Sequence, residues 1–185
     1  RAAALAEHLL APEMFTGFGV RTLATSAGAY NPMSYHNGSV WPHDSAIVAS
    51  GLMRYGFADE AQRIVGGLLD ASEAMHGRMP ELFCGFARDE FGTPVPYPTA
   101  CSPQAWSAAA VLLCLRALLR LDRDAADGAV WCAPEVPASM RPLVVRGVRA
   151  GSGRCGAFEF GVDDWDVEGL PGGLRLRRAP RPVPD

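Results

Sequence analysis

The residues best suited to chemistry crowd into two short stretches. Tyr35-His36-Asn37-Gly38-Ser39-Val40-Trp41-Pro42-His43-Asp44 brings together two aromatic rings, two imidazoles, an amide and a carboxylate. A packed core has no use for that mixture, whereas a sugar does. Its ring offers apolar C–H faces to an aromatic side chain, and its rim offers hydroxyls to donors and acceptors. The plainer reading is a polar network that braces a loop against a helix. The second stretch, Pro80-Glu81-Leu82-Phe83-Cys84-Gly85-Phe86, embeds one carboxylate in an apolar, aromatic run. A carboxylate so placed must find a donor, and a held carboxylate suits general acid or base work. A Glu81 that is exposed, or that only braces its loop, is the alternative.

Other chemistries have weaker claims. His36, His43 and Asp44 could suggest a metal-dependent phosphohydrolase, but such a site needs more ligands, and His8 and His76 have no helical phase linking them to this group. Hydrogen-bonding roles are the simpler reading, and neither a metal nor an organic cofactor is implied. Gly151-Ser152-Gly153-Arg154-Cys155-Gly156 matches a G-x-G-x-x-G string, yet residues 157–162 alternate like a strand where a dinucleotide site needs a helix, so it reads as a hairpin turn. Asn37-Gly38-Ser39 matches a glycosylation acceptor and reads as a turn. The chain has no lysine, which removes Schiff-base chemistry and the lysine of a phosphate-binding loop. Five cysteines, an odd number without a C-x-x-C pair, suggest neither a disulfide framework nor a zinc site, and a reducing cytosol fits best.

Composition points to an ordinary globular chain, with 49% hydrophobic and 20% charged residues in 185. A net charge of -3 and a pI near 5.8 leave no electrostatic footprint for nucleic acid or an anionic membrane. The longest apolar stretch, residues 105–115, falls short of the roughly 18 to 20 residues that span a bilayer. Helices are expected over residues 2–11, 39–55, 58–75 and 103–121. The second has Ser39 as N-cap, Pro42 in its first turn and Gly56 as its stop. Its apolar stripe of Val48, Gly51 and Tyr55 leads back to Asp44, which is thereby expected at the mouth of a buried face. Ala61, Ile64, Val65, Leu68 and Leu69 give the third helix one packing face. The fourth, apolar on nearly every side, is expected to be buried on more than one.

Residues 12–38 read as a long loop with one strand at 20–23. Residues 76–102 form a connection with four prolines, far longer than the usual four to six residues, and loops of that kind are commonly functional. Beyond residue 128 the period shortens. Runs at 143–149, 157–162, 165–167 and 174–177 separated by glycines predict a small antiparallel β unit over 129–178, followed by a disordered tail at 179–185.

The two chemical stretches, together with Tyr97-Pro98-Thr99-Ala100-Cys101-Ser102-Pro103-Gln104-Ala105-Trp106, resemble a known family. Further matching segments are Phe15 to Leu23, Tyr30-Asn31-Pro32-Met33 and Leu143 to Arg149. The family is that of bacterial amylo-alpha-1,6-glucosidase-like proteins, related to glycogen debranching enzymes and mannosylglycerate hydrolase, among the six-hairpin (α/α) barrel glycosidases. The resemblance runs from residue 1 to about 150. It implies a mainly α chain: residues 1–128 as the C-terminal helices of a partial (α/α) barrel, then the β unit. It also implies inverting hydrolysis of an alpha-linked glucan or small alpha-glucoside, with Glu81 as general base. Trp41 would be a stacking platform, and Arg21, Tyr35, His36, Asn37, His43 and Asp44 would contact substrate. The family's general acid sits in a Trp-Lys-Asp-Ser type segment, which a chain without lysine cannot hold. Two further expectations follow: an N-terminal half of the barrel, or another chain, covering exposed helix faces, and an isolated chain that is inactive. The alternative is a catalytically incomplete carbohydrate-binding piece.

Overall fold

The computed structural model describes residues 1–124, 126–150 and 153–183. The chain divides into two compact units, Arg1–Leu115 and Arg116–Asp185. That division lies ahead of the 128/129 boundary expected from the change of period, because it falls within a helix and the strands begin soon after it.

The helices are α1 (Ala2–Leu10), α2 (Pro42–Arg54), α3 (Ala58–Ala74), the short α4 (Arg88–Phe91) and α5 (Ala105–Leu118), which runs across the unit boundary. Asp59 and Glu60 lie in the first turn of α3, where they complement the helix dipole, and Ala61, Ile64, Val65, Leu68 and Ala71 form its buried face. α2 opens on Pro42, whose fixed φ suits a first turn that needs no N–H there. Trp41, rather than the expected Ser39, occupies the N-cap position.

α2 packs against α3, and its buried side is made largely of small residues: Ser45, whose hydroxyl accepts from the Val20 N–H, with Ala46, Ala49, Leu52 and Met53. The stripe expected to be buried faces the other way. Tyr55 is 62% exposed, and Val48, Gly51 and Tyr55 line an open apolar groove of about 630 Å³ with Leu5 and Leu9 of α1. Asp44, in phase with that stripe, is therefore exposed and not at the mouth of a buried face. Small side chains allow closer helix approach than large ones, so α2 turns its alanines inward. α5 also departs from expectation. Ser107, Ala110 and Cys114 are buried, while Ala105, Ala108, Ala109 and Leu112 are exposed, so it buries one face rather than several.

The long connection after α3 is sewn to the rest by isolated bridges. Val40 and Phe83 exchange two backbone hydrogen bonds, of 2.9 and 3.0 Å, and further bridges join Phe83 to Pro96 and Arg21 to Val40. The strand expected at 20–23 is reduced to single bridges at Val20 and Arg21. Phe18, Val40, Ala71 and Phe83 form a core cluster, with Met75 against it, which ties these loops to α3. Arg88 fastens the far end: its guanidinium lies 4.2 Å from the centre of the Phe18 ring and donates to the Gly17 carbonyl (2.8 Å) and to Asp70 (2.7 Å).

In the second unit β1 (Asp122–Asp124), β2 (Ala129–Trp131) and β8 (Arg175–Arg177) form one sheet in the order β1-β2-β8. β3 (Leu143–Arg146), β6 (Ala157–Phe160) and β7 (Trp165–Glu168) form a second, and β4 (Arg149–Ala150) pairs with β5 (Gly153–Arg154). The pairings are antiparallel except β2 with β8, which run parallel, a correction to the wholly antiparallel unit expected. The antiparallel β4–β5 pair accounts for the glycine string as a hairpin, although Gly151 and Ser152 themselves lie outside the described residues, as do Pro184 and Asp185 of the expected tail. Among the described residues no helix is long and apolar enough to cross a membrane.

Gly85 is the tightest point of the connection, since a Cβ there would run into the carbonyl oxygen of Gly38. Gly85→Ala is expected to lower Tm by roughly 2–12 °C, through overpacking of about 1–3 kcal/mol, in a thermal melt against the parent chain. An unchanged Tm would show that the two loops do not meet there.

Candidate functional site

The Val40–Phe83 bridge brings the two chemical stretches side by side. Two residues before Phe83, the Glu81 carboxylate accepts a 2.7 Å hydrogen bond from the Tyr35 hydroxyl through Oε1. Its backbone is held as well. The Glu81 N–H donates to the Cys101 carbonyl (2.9 Å), and the Glu81 carbonyl accepts from the Ser107 hydroxyl at 3.3 Å. Gln104 caps α5, its Oε1 accepting from the N–H groups of Trp106 (3.0 Å) and Ser107 (3.2 Å). The start of α5 and the strand-like segment around Glu81 are thus one hydrogen-bonded piece.

Around that carboxylate stands a cluster of rings. Tyr35 meets His36, Trp41 and Tyr97 edge to face, at centroid distances of 4.7, 4.9 and 5.7 Å. His36 lies parallel to Trp41 at 5.9 Å, and His43 meets Trp41 edge-on at 5.6 Å. On its other side His43 stacks on Trp106, with centroids 4.1 Å apart and 18° between planes. Such offset and edge-on arrangements favour ring pairs by about 0.5–1.5 kcal/mol beyond burial. Ser39, displaced from its expected capping role, joins the cluster: it donates to the Tyr35 carbonyl (2.7 Å) and accepts from the Trp41 indole N–H (3.1 Å).

The eight residues singled out from the sequence do not all share this cluster. Tyr35, His36, Trp41, His43 and Glu81 are in it. Arg21 is 4% exposed, and its guanidinium is engaged by the carbonyls of Gly85 (2.7 Å) and Pro12 (2.8 Å), so it struts the loops and presents nothing to a ligand. Asn37 is exposed on the loop. Asp44 sits 3.3 Å from His43 Nε2 with its side chain 58% exposed. The His43 Nδ1 is buried and has no hydrogen-bond partner among the described residues. Trp41 is only 8% exposed and hemmed in by Tyr35, His36 and His43, which leaves little ring face for a sugar.

His36, His43 and Asp44 do not converge as ligands, because His36 and His43 are committed to ring contacts with Trp41. Among the described residues no group of three or more His, Cys, Asp or Glu could hold a metal ion. The phosphohydrolase reading therefore loses its ligand set. Burial pushes the Cys114 and Cys132 thiols up to about 12, which removes them as thiolate nucleophiles. Tyr97, Ser107 and Trp106 belong to the site although residue type alone did not single them out. Their signal was position: all three lie in or beside the 97–106 segment already recognised as matching the family.

Residues 1–87 are similar to a known domain. They match the family model of the mannosylglycerate hydrolase MGH1-like glycoside hydrolase domain. That span contains Tyr35, Trp41, His43 and Glu81, and it indicates a glycoside hydrolase domain related to mannosylglycerate hydrolase. No curated protein matches the chain.

The Tyr35 phenol is held above its ordinary value of 10.0, first by the hydrogen bond to Glu81, then by burial and by the Glu81 charge. Because the folded value is the raised one, the stabilisation from this bond is complete below about pH 10 and is lost as pH rises through the folded value. Glu81→Gln is expected to let Tyr35 ionise at lower pH. The check is the phenolate absorbance titration of Glu81→Gln against the parent, each corrected with its Tyr35→Phe counterpart. Superimposable curves would mean the bond does not form in solution.

Proposed function

We propose that this chain is the part of a glycosidase that carries the general base, acting by inversion on an alpha-linked glucan or a small alpha-glucoside in the manner of amylo-alpha-1,6-glucosidase-like enzymes. The observation that carries this reading is the hydrogen bond from Tyr35 to Glu81, which couples a single oriented carboxylate to a cluster of rings. With Oε1 taken by the phenol, Oε2 has no partner among the described residues and is available to a water molecule. In an inverting hydrolysis that water attacks the anomeric carbon from the face opposite the leaving group, while Oε2 takes its proton. A second carboxyl group about 6.5–9.5 Å away protonates the departing oxygen.

That second group is not assigned within the cluster. Asp44 leans on His43 and is largely exposed. In this reading the acid comes from a further segment of an (α/α) barrel, to which α1, α2, α3 and α5 contribute, and the enzyme works in the cytosol. His36 and Asn37, both exposed, would meet sugar hydroxyls in this reading. The relationship to mannosylglycerate hydrolase makes a small glycoside as fitting a substrate class as a glucan.

The isolation of Glu81 favours one second reading, in which the chain binds carbohydrate without completing the catalytic pair. Assay of p-nitrophenyl alpha-glucoside hydrolysis by the chain joined to the acid-bearing segment separates the two. Turnover that falls by 10² to 10⁴-fold in Glu81→Gln, the range for loss of general-base catalysis, supports the glycosidase. Sugar binding without turnover supports the second reading, and near-parental turnover in Glu81→Gln removes the base from the carboxylate.

A further inference from the structure

The ring that residue type singles out as a sugar platform is not the ring that the fold leaves open. Trp41 is 8% exposed, whereas Trp106, two rings along the same stack, is 51% exposed. Trp106 is also not a loose surface residue. Its inner face lies on His43 at 4.1 Å, and His43 is wedged against Trp41 and held by Asp44 at 3.3 Å. The helix around it is low: Ala105, Ala108 and Ala109 are exposed but short, so the indole stands above them. Its backbone N–H is fixed by Gln104, and the next residue, Ser107, bonds to the Glu81 carbonyl. An aromatic ring that is fixed before binding gives up little entropy when a ligand covers it.

We propose that the outer surface of Trp106 is the stacking platform that receives a pyranose ring, and that His43, held by Asp44, is the positioning residue that sets the angle of the indole. The proposal rests on the carbohydrate reading of the site for the class of its ligand. The C–H face of a glucopyranose supplies the apolar patch that matches an open indole, and its equatorial hydroxyls stay at the rim in water. Trp41 keeps the structural task of backing His43.

The test is maltose binding to the full chain, followed by tryptophan emission and by calorimetry. The parent is expected to show a saturable emission change. Trp106→Ala should lose that change and bind maltose about tenfold more weakly, while Trp106→Phe, which keeps a ring, should stay within roughly threefold of the parent. His43→Ala should weaken binding as Trp106→Ala does, and His43→Phe, which restores the stack without the imidazole nitrogens, should recover it. Absence of maltose binding by the parent overturns the proposal, and so does unchanged affinity in Trp106→Ala. Glu81→Gln, measured alongside, keeps the two readings apart. If it retains both turnover and the emission change, the catalytic assignment falls and the platform stands. If it loses turnover while Trp106→Ala binds normally, the platform alone falls.

Discussion

Two backbone hydrogen bonds, exchanged between Val40 and Phe83, decide where everything else in the candidate site can be. They join loops from opposite sides of α2 and α3 and set Glu81 beside Tyr35. A carboxylate on a connection of this length would otherwise roam, and general-base chemistry tolerates little displacement of the reacting atoms. The pair is protected by what covers it: Val40 and Phe83 are buried with Phe18 and Ala71, so competing water is kept away from both bonds. Gly85 permits the approach because a Cβ there would run into the Gly38 carbonyl oxygen, and Gly38 in turn has no Cβ to run into the Tyr30 ring. The cost of such close packing falls on sequence choice. A position that needs bare backbone accepts nothing but glycine.

Onto this frame the structure adds a chain of side chains in which each member fixes the next. Asp44 holds His43, His43 holds Trp106 and braces Trp41, Trp41 braces Tyr35, and Tyr35 holds Glu81. Each contact alone contributes on the order of 1 kcal/mol, too little to order a loop. In series they remove the alternatives open to each ring, so that a half-buried carboxylate at one end and an exposed indole at the other belong to one connected cluster. The raised phenol is a local sign of this coupling, for the proton on Tyr35 serves Glu81 as much as Tyr35 itself.

Much of this was legible in the sequence, and the failures have a common cause. The ranges of α1 and α3, the glutamate in its apolar run and the density of rings before α2 could be read from residue type and period. The orientation of α2 could not. Counting large apolar residues favours the stripe through Val48 and Tyr55, yet helix packing rewards the closer approach that Ser45, Ala46 and Ala49 allow. The family resemblance likewise implied an open ring at Trp41 and a substrate contact at Arg21. Both are large and chemically apt, and both are enclosed by loops whose path depends on single bridges without any repeating pattern. Irregular bridges such as Arg21 to Val40 leave no period to detect.

The exchange of roles between the two tryptophans follows from that irregularity. Trp41 precedes Pro42, whose ring holds the preceding backbone extended, and its indole N–H is drawn back onto the Tyr35 carbonyl and Ser39. It is therefore folded inward by its own sequence neighbours. Trp106 starts a helix whose first turn is capped by Gln104, and a side chain at that place projects from the helix end. Its ring stacks on His43. Local geometry thus makes one indole a wall and the other a ledge, and the distance between them is spanned by an imidazole whose Nε2 lies 3.3 Å from Asp44. A site assembled in this way tolerates conservative ring changes at its edge, where a flat surface suffices. It is far less forgiving at Tyr35, where a single hydroxyl joins the rings to the carboxylate.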